Sequence, residues 1–185
     1  MPGPSRPVVL VPYNFTWPGS FAGLRDEIAG ACGDLLAGIE HVGSTAVPGL
    51  AAKPVIDLMP ILRRFEDGPA CAEALGPLGY DYLGEYGIPG RQFFTKNEAR
   101  TGTRIANVHM YERGHDEAIA HLAFRDYLRA HDDWRDRYES LKRELAARFP
   151  GDVEAYAEAK TEFVKEVVAL GLAEAGSGHL YRRAR

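Results

Sequence analysis

The sequence is poor in cysteine, which argues against two kinds of stabilised scaffold. Cys32 and Cys71 are the only cysteines among 185 residues, and neither has zinc-ligand spacing around it. A disulfide framework and a cysteine-based zinc site are therefore not expected. Each cysteine lies in an alanine-rich, helix-like stretch, which predicts a buried free thiol. This cysteine usage fits a reducing cytoplasm.

Long hydrophobic runs and an excess of positive charge are also missing. No apolar run approaches the ~18 residues of a membrane span, and the first residues lack the basic-then-apolar pattern of a signal peptide. We therefore expect a cytoplasmic protein with no membrane partner. The net charge is −4, and the basic run is confined to residues 181–185. The chain as a whole does not attract nucleic acid, which is not an expected partner. The oligomeric state stays open.

The composition fits a single globular domain. Hydrophobic residues make up 45% of the chain and charged residues 26%, and 185 residues are enough to bury a core. No internal repeat or long linker divides the sequence. We expect one domain over residues 1–185, with a mixed α/β part at 8–114, a helical part at 115–172 and a tail at 173–185.

The order of predicted elements indicates the fold class. Short strand-like runs, separated by Gly, Pro and Asn turns, are mixed with helices up to residue 114, and apolar residues then recur at helical spacing. Strands are predicted at 8–11, 35–42, 55–61, 80–83, 91–96 and 104–111, and helices at 18–33, 66–78, 116–130, 134–149 and 153–170. This segregation predicts an α+β fold, a mixed sheet with helices packed on it and a C-terminal helical segment.

The segment from His41 to Asp57 carries the clearest chemical pattern. It reads His-Val-Gly-Ser-Thr-Ala-Val-Pro-Gly-Leu-Ala-Ala-Lys-Pro-Val-Ile-Asp. A Gly-Ser turn offers N–H groups and hydroxyls to phosphate oxygens, and a strand-borne aspartate can hold the Mg²⁺ that bridges them. The pattern is typical of nucleotidyltransferases. The anion-binding candidates in this segment are Gly43, Ser44, Thr45 and Lys53.

One position departs from that pattern. Strands of this kind usually carry an acid-x-acid pair, and here the second position is Met59. A single acid can hold one Mg²⁺ with help from water and phosphate, whereas a two-metal site would need acids from elsewhere. The sequence therefore predicts a phosphate pocket more firmly than a catalyst.

Strand alternation groups further candidates. Asn107, His109 and Tyr111 share one face of their strand, and a polar face needs water, a partner or a ligand. If this strand neighbours that of Asp57, then Asp57 and His109 face one cleft. His109 is a candidate metal ligand or general base. His41 is either a hydrogen-bonded structural histidine or a third metal ligand.

Three cations complete the candidate set. Arg91 follows Gly90 and either binds an anion or rests on the surface. Arg125 either contacts phosphate or acceptor or forms an internal ion pair with Asp126 or another acid. Lys160 lies on the apolar stripe of its predicted helix and either extends to the surface or reaches a polar site. Lys142 is assigned to a helix flank. The remaining histidines are not expected to act: His115, His121, His131 and His179.

With these residues in view, the chain resembles the GrpB family of bacterial proteins (UPF0157), within the nucleotidyltransferase superfamily. The resemblance rests on ordered motifs along nearly the whole chain. They are Val-Pro-Tyr at 11–13, Trp-Pro at 17–18, His-Val-Gly-Ser-Thr at 41–45, Val-Pro-Gly-Leu at 47–50, Ala-Lys-Pro at 52–54, Asp57, Phe-Arg-Asp-Tyr-Leu-Arg at 124–129, Phe-Pro at 149–150, and Tyr138, Leu141, Lys142, Tyr156, Lys160 and Phe163.

The resemblance implies binding of a nucleoside triphosphate with Mg²⁺ and transfer of a nucleotidyl group to a small molecule or a protein side chain. A ligase-type reaction through an adenylated acid and a non-catalytic module for a nucleotide or CoA-like ligand are the alternatives. The same domain type occurs attached to dephospho-CoA kinase, although this chain has no Walker P-loop. Members commonly carry His-His-x-His where this sequence has Ala-Asn-Val-His at 106–109, which leaves fewer ligands for any metal ion.

Overall fold

A five-stranded mixed sheet organises the protein. A computed structural model describes residues 8–176. The strands are β1 Leu36–Val42, β2 Ile56–Leu62, β3 Tyr80–Tyr82, β4 Arg91–Asn97 and β5 Arg104–Glu112. Their order across the sheet is β1-β2-β5-β4-β3. The β2–β5 pair is parallel and the other neighbours are antiparallel, so the strands of Asp57 and His109 lie side by side.

Helices pack on both sides of this sheet. They are α1 Trp17–Cys32, α2 Gly68–Leu75, α3 Asp116–Ala130, α4 Asp132–Arg148, α5 Val153–Glu158 and α6 Thr161–Glu174. The expected α+β fold, with a mixed sheet and a C-terminal helical segment, is confirmed. No helix in the part of the chain from residue 8 to residue 176 is long and apolar enough to cross a membrane.

Alternation along the two central strands separates an apolar face from a polar one. Ile56 and Leu58 of β2 join Val108 of β5 in a core that α1 and α2 cover. The opposite face carries Asp57 and His109. A second core lies among the helices, with Leu128 and Val167 at its centre. The polar face of the sheet therefore looks towards the helical half of the protein.

The two cysteines confirm the expectation drawn from composition. Cys32 and Cys71 are both buried in the α1–α2 core and neither forms a disulfide. The hydrogen bond that Cys32 donates to Cys71, together with burial, raises the pKa of the Cys32 thiol. They are core residues rather than ligands.

Three element predictions differ from the structure. The strand predicted at 8–11 is reduced to one bridge between Val11 and Ala52, and the Val8 N–H instead donates to the carbonyl of Pro150. The helix predicted at 66–78 is α-helical only over Gly68–Leu75, since Gly-Pro at 76–77 tightens its end into a 3-10 turn. The helix predicted at 153–170 is two helices, α5 and α6, which meet at Lys160. The basic run at 181–185 lies outside the described residues.

Candidate functional site

A cleft of about 860 Å³ opens between the polar face of the sheet and the helical half. Five lysine and arginine residues and two acids line it among the residues that the structure describes. They are Lys53, Arg91, Lys142, Lys160 and Lys165, with Asp57 and Glu117. The chain as a whole carries a net charge of −4. The cleft is thus locally cationic in an acidic protein, which favours an anionic ligand.

Asp57 lies in the floor of the cleft. It pairs in register with Asn107 of β5, whose Nδ2 donates to Asp57 Oδ1 at 2.9 Å. His109 Nε2 lies 3.6 Å from the same oxygen. Burial acts to raise the pKa of Asp57, but His109, Asn107 and Lys53 together hold it below its usual range. The expectation that Asp57 and His109 face one cleft is confirmed.

His109 is held from two sides. Arg91 Nη1 lies 3.4 Å from Nδ1 of the imidazole. A guanidinium can only donate, so Nδ1 is the acceptor and the ring proton sits on Nε2, towards Asp57. The two ring nitrogens point away from each other. Asp57 and Arg91 therefore stand on opposite sides of His109.

The Gly-Ser turn meets Asp57 closely. Gly43 has φ +72° and ψ −172°, a conformation open almost only to glycine. A Cβ at this position would overlap Asp57 Oδ2 and lie 3.1 Å from its Cβ. A 3-10 turn over Ser44–Ala46 follows. The bare Cα of Gly43 thus lets the turn approach the carboxylate.

Lys142 reaches this turn from α4, contrary to its assignment to a helix flank. Its side chain is 2% exposed, and its Nζ donates to Ser44 Oγ at 3.2 Å and to the carbonyl of Ala51. Glu139, one turn earlier, accepts from the Ala51 N–H at 2.8 Å. Burial, with Lys160 nearby, lowers the pKa of Lys142 to about 7. Lys142 thus connects the loop at 44–51 to α4 and places its amine against the Ser44 hydroxyl.

Two further lysines flank the same end of the cleft. Lys160 Nζ lies 4.4 Å and Lys53 Nζ 5.7 Å from the centre of the Tyr156 ring. Burial and the neighbouring Lys53 lower the pKa of Lys160 to about 8. Burial also lowers the pKa of Lys53, although Asp57 opposes that shift. Lys160 therefore reaches a polar site rather than extending to the surface.

Two candidates lie outside the cleft lining. Alternation of β1 turns His41 to the α1 side, where its ring stacks on Phe21 and Nε2 lies 2.9 Å from Thr45 Oγ1. Burial lowers the pKa of His41 to about 4. Arg125 pairs with Glu40 at 2.8 Å and Asp126 at 2.7 Å, the internal ion pair foreseen as its alternative. His41 still interacts electrostatically with Asp57, but neither His41 nor Arg125 lines the cleft.

His121 is a cleft residue that the sequence analysis set aside. Its ring centre lies 5.3 Å from that of His109. Burial lowers its pKa to about 3, assisted by His109 and Arg91, so His121 is neutral at pH 7. Its position three residues before Phe124 and seven before Leu128 placed it on the buried face of α3. That helical spacing could have identified His121 as an inward-facing residue from the sequence.

The site fits one Mg²⁺ better than two. No three His, Cys, Asp or Glu side chains gather as a metal site within residues 8–176. Asp57 is a hard oxygen ligand, and both hydrogen-bonding neighbours described above act on Oδ1. Its Oδ2 faces the bare Gly43 turn. Asp57 would hold Mg²⁺ together with phosphate oxygens and water, and the ion would neutralise phosphate charge there.

Comparison with known proteins establishes the family of the chain. The sequence model of the GrpB protein family matches residues 7–169. The chain belongs to the GrpB family. The UPF0157 protein YqkA of Bacillus subtilis is 38% identical over 162 residues, which are 88% of this chain and 46% of that protein. This GrpB chain therefore spans less than half the length of that curated relative.

Solved structures support the fold. The crystal structure of the conserved protein GrpB from Enterococcus faecalis matches with a TM-score of 0.84 at 31% identity, over 90% of this chain and 99% of that one. Cid1 poly(U) polymerase with magnesium and 3′-dATP matches with a TM-score of 0.55 at 11% identity, over 80% of this chain and 49% of that one. The GrpB chain thus has a nucleotidyltransferase-like fold.

A further relative has a different name. The dephospho-CoA kinase of Mycolicibacterium paratuberculosis is 29% identical over 182 residues, 86% of this chain and 45% of that protein. The similarity covers a region of that kinase rather than the whole protein.

Proposed function

We propose that this protein binds a nucleoside triphosphate with Mg²⁺ at the Gly43–Ser44 turn and transfers a nucleotidyl group to a small acceptor. One observation carries the proposal. The Gly-Ser turn, the carboxylate of Asp57 and the amines of Lys53, Lys142 and Lys160 converge on one end of a cleft. Hydroxyls and lysines bind phosphate oxygens, and a carboxylate binds the accompanying Mg²⁺.

Each side chain has a place in this scheme. Ser44 and Thr45 hold phosphate oxygens, and the three lysines balance the triphosphate charge. An acceptor oxygen would form a bond to the α-phosphorus while the bond to the β-phosphate breaks, so that pyrophosphate leaves and the acceptor proton passes to solvent. His109 keeps Asp57 in place, because its Nε2–H faces the carboxylate and Nδ1 is already taken by Arg91.

Removing the Asp57 charge tests the scheme. We expect wild-type protein to bind at least one of ATP, GTP, CTP and UTP in the presence of Mg²⁺. Asp57→Asn should weaken that binding at least about tenfold, equivalent to about 1.4 kcal/mol, because a neutral amide is a poor Mg²⁺ ligand. Isothermal titration calorimetry measures both. Asp26→Asn, an exposed acid of α1, is the control and should bind like wild type. Absence of binding by any of the four nucleotides would overturn the proposal.

Nucleotide affinity should fall as pH rises. Lys142 and Lys160 have pKa values of about 7 and about 8, so both lose their charge between about pH 6 and about pH 9. A polyphosphate favours the charged amines, and binding therefore takes up protons in this range. Calorimetry in buffers of different ionisation enthalpy should report that uptake. Equal nucleotide affinity at about pH 6 and about pH 9 would show that neither lysine contacts the phosphates.

A non-catalytic binding module is the second candidate. Met59, at the position of the missing second acid, is fully buried against Val42 and Tyr111, so it serves the core. A pocket of this kind can hold a nucleotide or a CoA-like phosphorylated ligand through the lysines alone. Binding that persists in EDTA, without turnover of any nucleotide, would favour this candidate over the enzyme.

A further inference from the structure

The cleft continues along α6 beyond its phosphate-binding end. Val164, Val168 and Leu172 follow Lys160 at steps of four residues, and all four side chains line the cleft. Residues four apart lie on the same face of a helix, so the four form a single row. At a rise of about 1.5 Å per residue, Leu172 lies about 18 Å along the axis from Lys160. The row starts beside the lysines and ends in an apolar wall, formed by Val164, Val168 and Leu172.

Other elements add apolar side chains to the cleft lining. Ala120 and Phe124 come from α3, and Ile88 comes from the loop before β4. The backbones of α3 and α6 approach each other closely, since a Cβ on Gly171 would lie 2.7 Å from the carbonyl oxygen of Ala123. This close packing of the two helices holds the apolar wall in place before any ligand binds.

The polar side chains in this part of the lining belong to the solvent-exposed rim. Glu117, Thr161 and Lys165 line the cleft and are exposed, and Lys165 is paired with Glu162. The three residues of the apolar wall are half-buried, so part of their surface stays open to the cleft. Apolar surface that remains open within a cleft is typical of a ligand-binding site.

The chemistry of the apolar wall favours a hydrocarbon chain over a nucleobase. A nucleobase carries nitrogen and oxygen atoms on its edge, and these lose hydrogen bonds to water when they are buried among aliphatic side chains. Valine and leucine side chains offer no replacement. A hydrocarbon chain needs no hydrogen bonds and gains affinity with each methylene that leaves water. The lysines at the start of the row attract negative charge, so the row fits a molecule with an anionic head and an apolar chain.

We propose that the apolar wall binds a hydrocarbon chain of the acceptor, which makes the acceptor a small amphipathic molecule. Its chain lies along Val164, Val168 and Leu172, and its polar end lies near Lys160 and Asp57, where the phosphates are held. The cleft volume of about 860 Å³ is in the upper part of the range for small-molecule sites, about 300–1,000 Å³. The role as acceptor rests on the proposed function; the binding of a hydrocarbon chain does not.

Ethyl phosphate and octyl phosphate, used below its micelle concentration, test the apolar wall without nucleotide. Wild-type protein should bind octyl phosphate at least about thirtyfold more tightly in calorimetry, because each methylene that is fully buried adds up to about fourfold. Val168→Asn should reduce this ratio at least about tenfold and leave the affinity for ethyl phosphate within about twofold. Leu170→Asn, at a half-buried leucine of α6 outside the cleft lining, is the control and should keep the wild-type ratio.

A second variant keeps the test decisive if Val168→Asn lowers the Tm. Val168→Thr preserves the shape of the side chain and adds only a hydroxyl, so it should fold like wild type and reduce the ratio at least about threefold. Affinity for the nucleotides should stay within about twofold in both variants, because the wall holds the acceptor and not the nucleobase.

The outcomes separate this proposal from the proposed function. Equal binding of the two alkyl phosphates by wild type, or a ratio that both Val168 variants leave unchanged, would overturn the hydrocarbon site. A loss of nucleotide affinity in both variants would also overturn it and assign the wall to the nucleobase. A dimer that Val168→Asn dissociates in gel filtration would assign the wall to a second copy of the chain. If wild type prefers octyl phosphate through Val168 but binds no nucleotide, the hydrocarbon site stands and the proposed nucleotidyl transfer fails.

Discussion

Gly43→Ala is expected to lose both stability and nucleotide binding. The substitution forces a residue with a Cβ into φ +72° and drives that Cβ into the Asp57 carboxylate. The strained conformation costs about 1–3 kcal/mol, and displacement of a partly buried, hydrogen-bonded carboxylate brings the total to about 2–5 kcal/mol. Urea unfolding gives the loss of stability. Calorimetry on the folded fraction should show no nucleotide binding, because Asp57 and the turn can no longer approach.

Gly33→Ala separates strain from collision. Gly33 has φ +52° and ψ −129°, and a Cβ there would meet nothing within 4 Å. It should show the conformational cost alone, about 1–3 kcal/mol, with nucleotide affinity unchanged. Equal destabilisation in the two variants would contradict the packing of Asp57 against Gly43.

Lys142→Met is expected to stabilise the protein while weakening nucleotide binding about tenfold or more. Burial and Lys160 lower the pKa of Lys142, with Glu139 opposing the shift. Each tenfold loss of proton affinity on folding costs about 1.4 kcal/mol while the amine is charged. Methionine removes this cost but leaves the Ala51 carbonyl unpaired, which returns about 1–3 kcal/mol. We expect a net gain of about 1–3 kcal/mol at pH 6. Under the proposed function, a phosphate-binding amine is thus held at the expense of stability.

The gain should shrink as pH rises. Lys142 has a pKa of about 7 when folded and about 10.4 when unfolded. Between these values the unfolded chain binds a proton that the folded chain does not, so wild-type stability increases with pH through this window. Urea unfolding at about pH 6 and about pH 9 measures the difference. Lys165→Met, at an exposed lysine of the cleft rim paired with Glu162, should change stability by less than about 0.5 kcal/mol. A gain in Lys142→Met that is independent of pH would contradict the burial of a charged amine.

The sequence predicted the floor of the site well. Side chains alternate along a strand with a fixed period, so the shared face of Asp57 and His109 needed only the strand assignments and their adjacency. The same alternation, applied to the strand of His41, separates it from Asp57. The tight turn at Gly43 was equally predictable from the sequence, because few residues other than glycine permit that backbone conformation.

The helical wall was predicted less well. The helical spacing of Tyr138, Leu141 and Leu145 predicts an apolar stripe that leaves Lys142 on the flank. The structure instead buries Lys142 between Tyr138 and Leu145 and leaves Leu141 half-buried. Positions three and four residues after Tyr138 lie almost equally close to one helix face. Only the distant partners Ser44 and Ala51 decide between them.

The break at Lys160 had no local signal either. Neither proline nor glycine occurs at 153–170, yet α5 ends at Glu158 and α6 begins at Thr161, with Lys160 as its N-cap. The separation is fixed by tertiary packing. The contact between the Lys160 amine and the Tyr156 ring is compatible with either arrangement, because residues four apart are neighbours on a helix.

The cationic cleft within an acidic protein has a kinetic consequence. At physiological ionic strength the field of a charge fades over about 8 Å, so a small anion entering the cleft meets mainly the positive residues that line it. A long polyanion lies across the outer surface and also meets the acids that give the chain its net negative charge. Added salt should therefore slow the binding of a mononucleotide to the cleft, whereas it should do little to promote the binding of a nucleic acid strand. We therefore expect the cleft to favour small phosphorylated molecules over polymers.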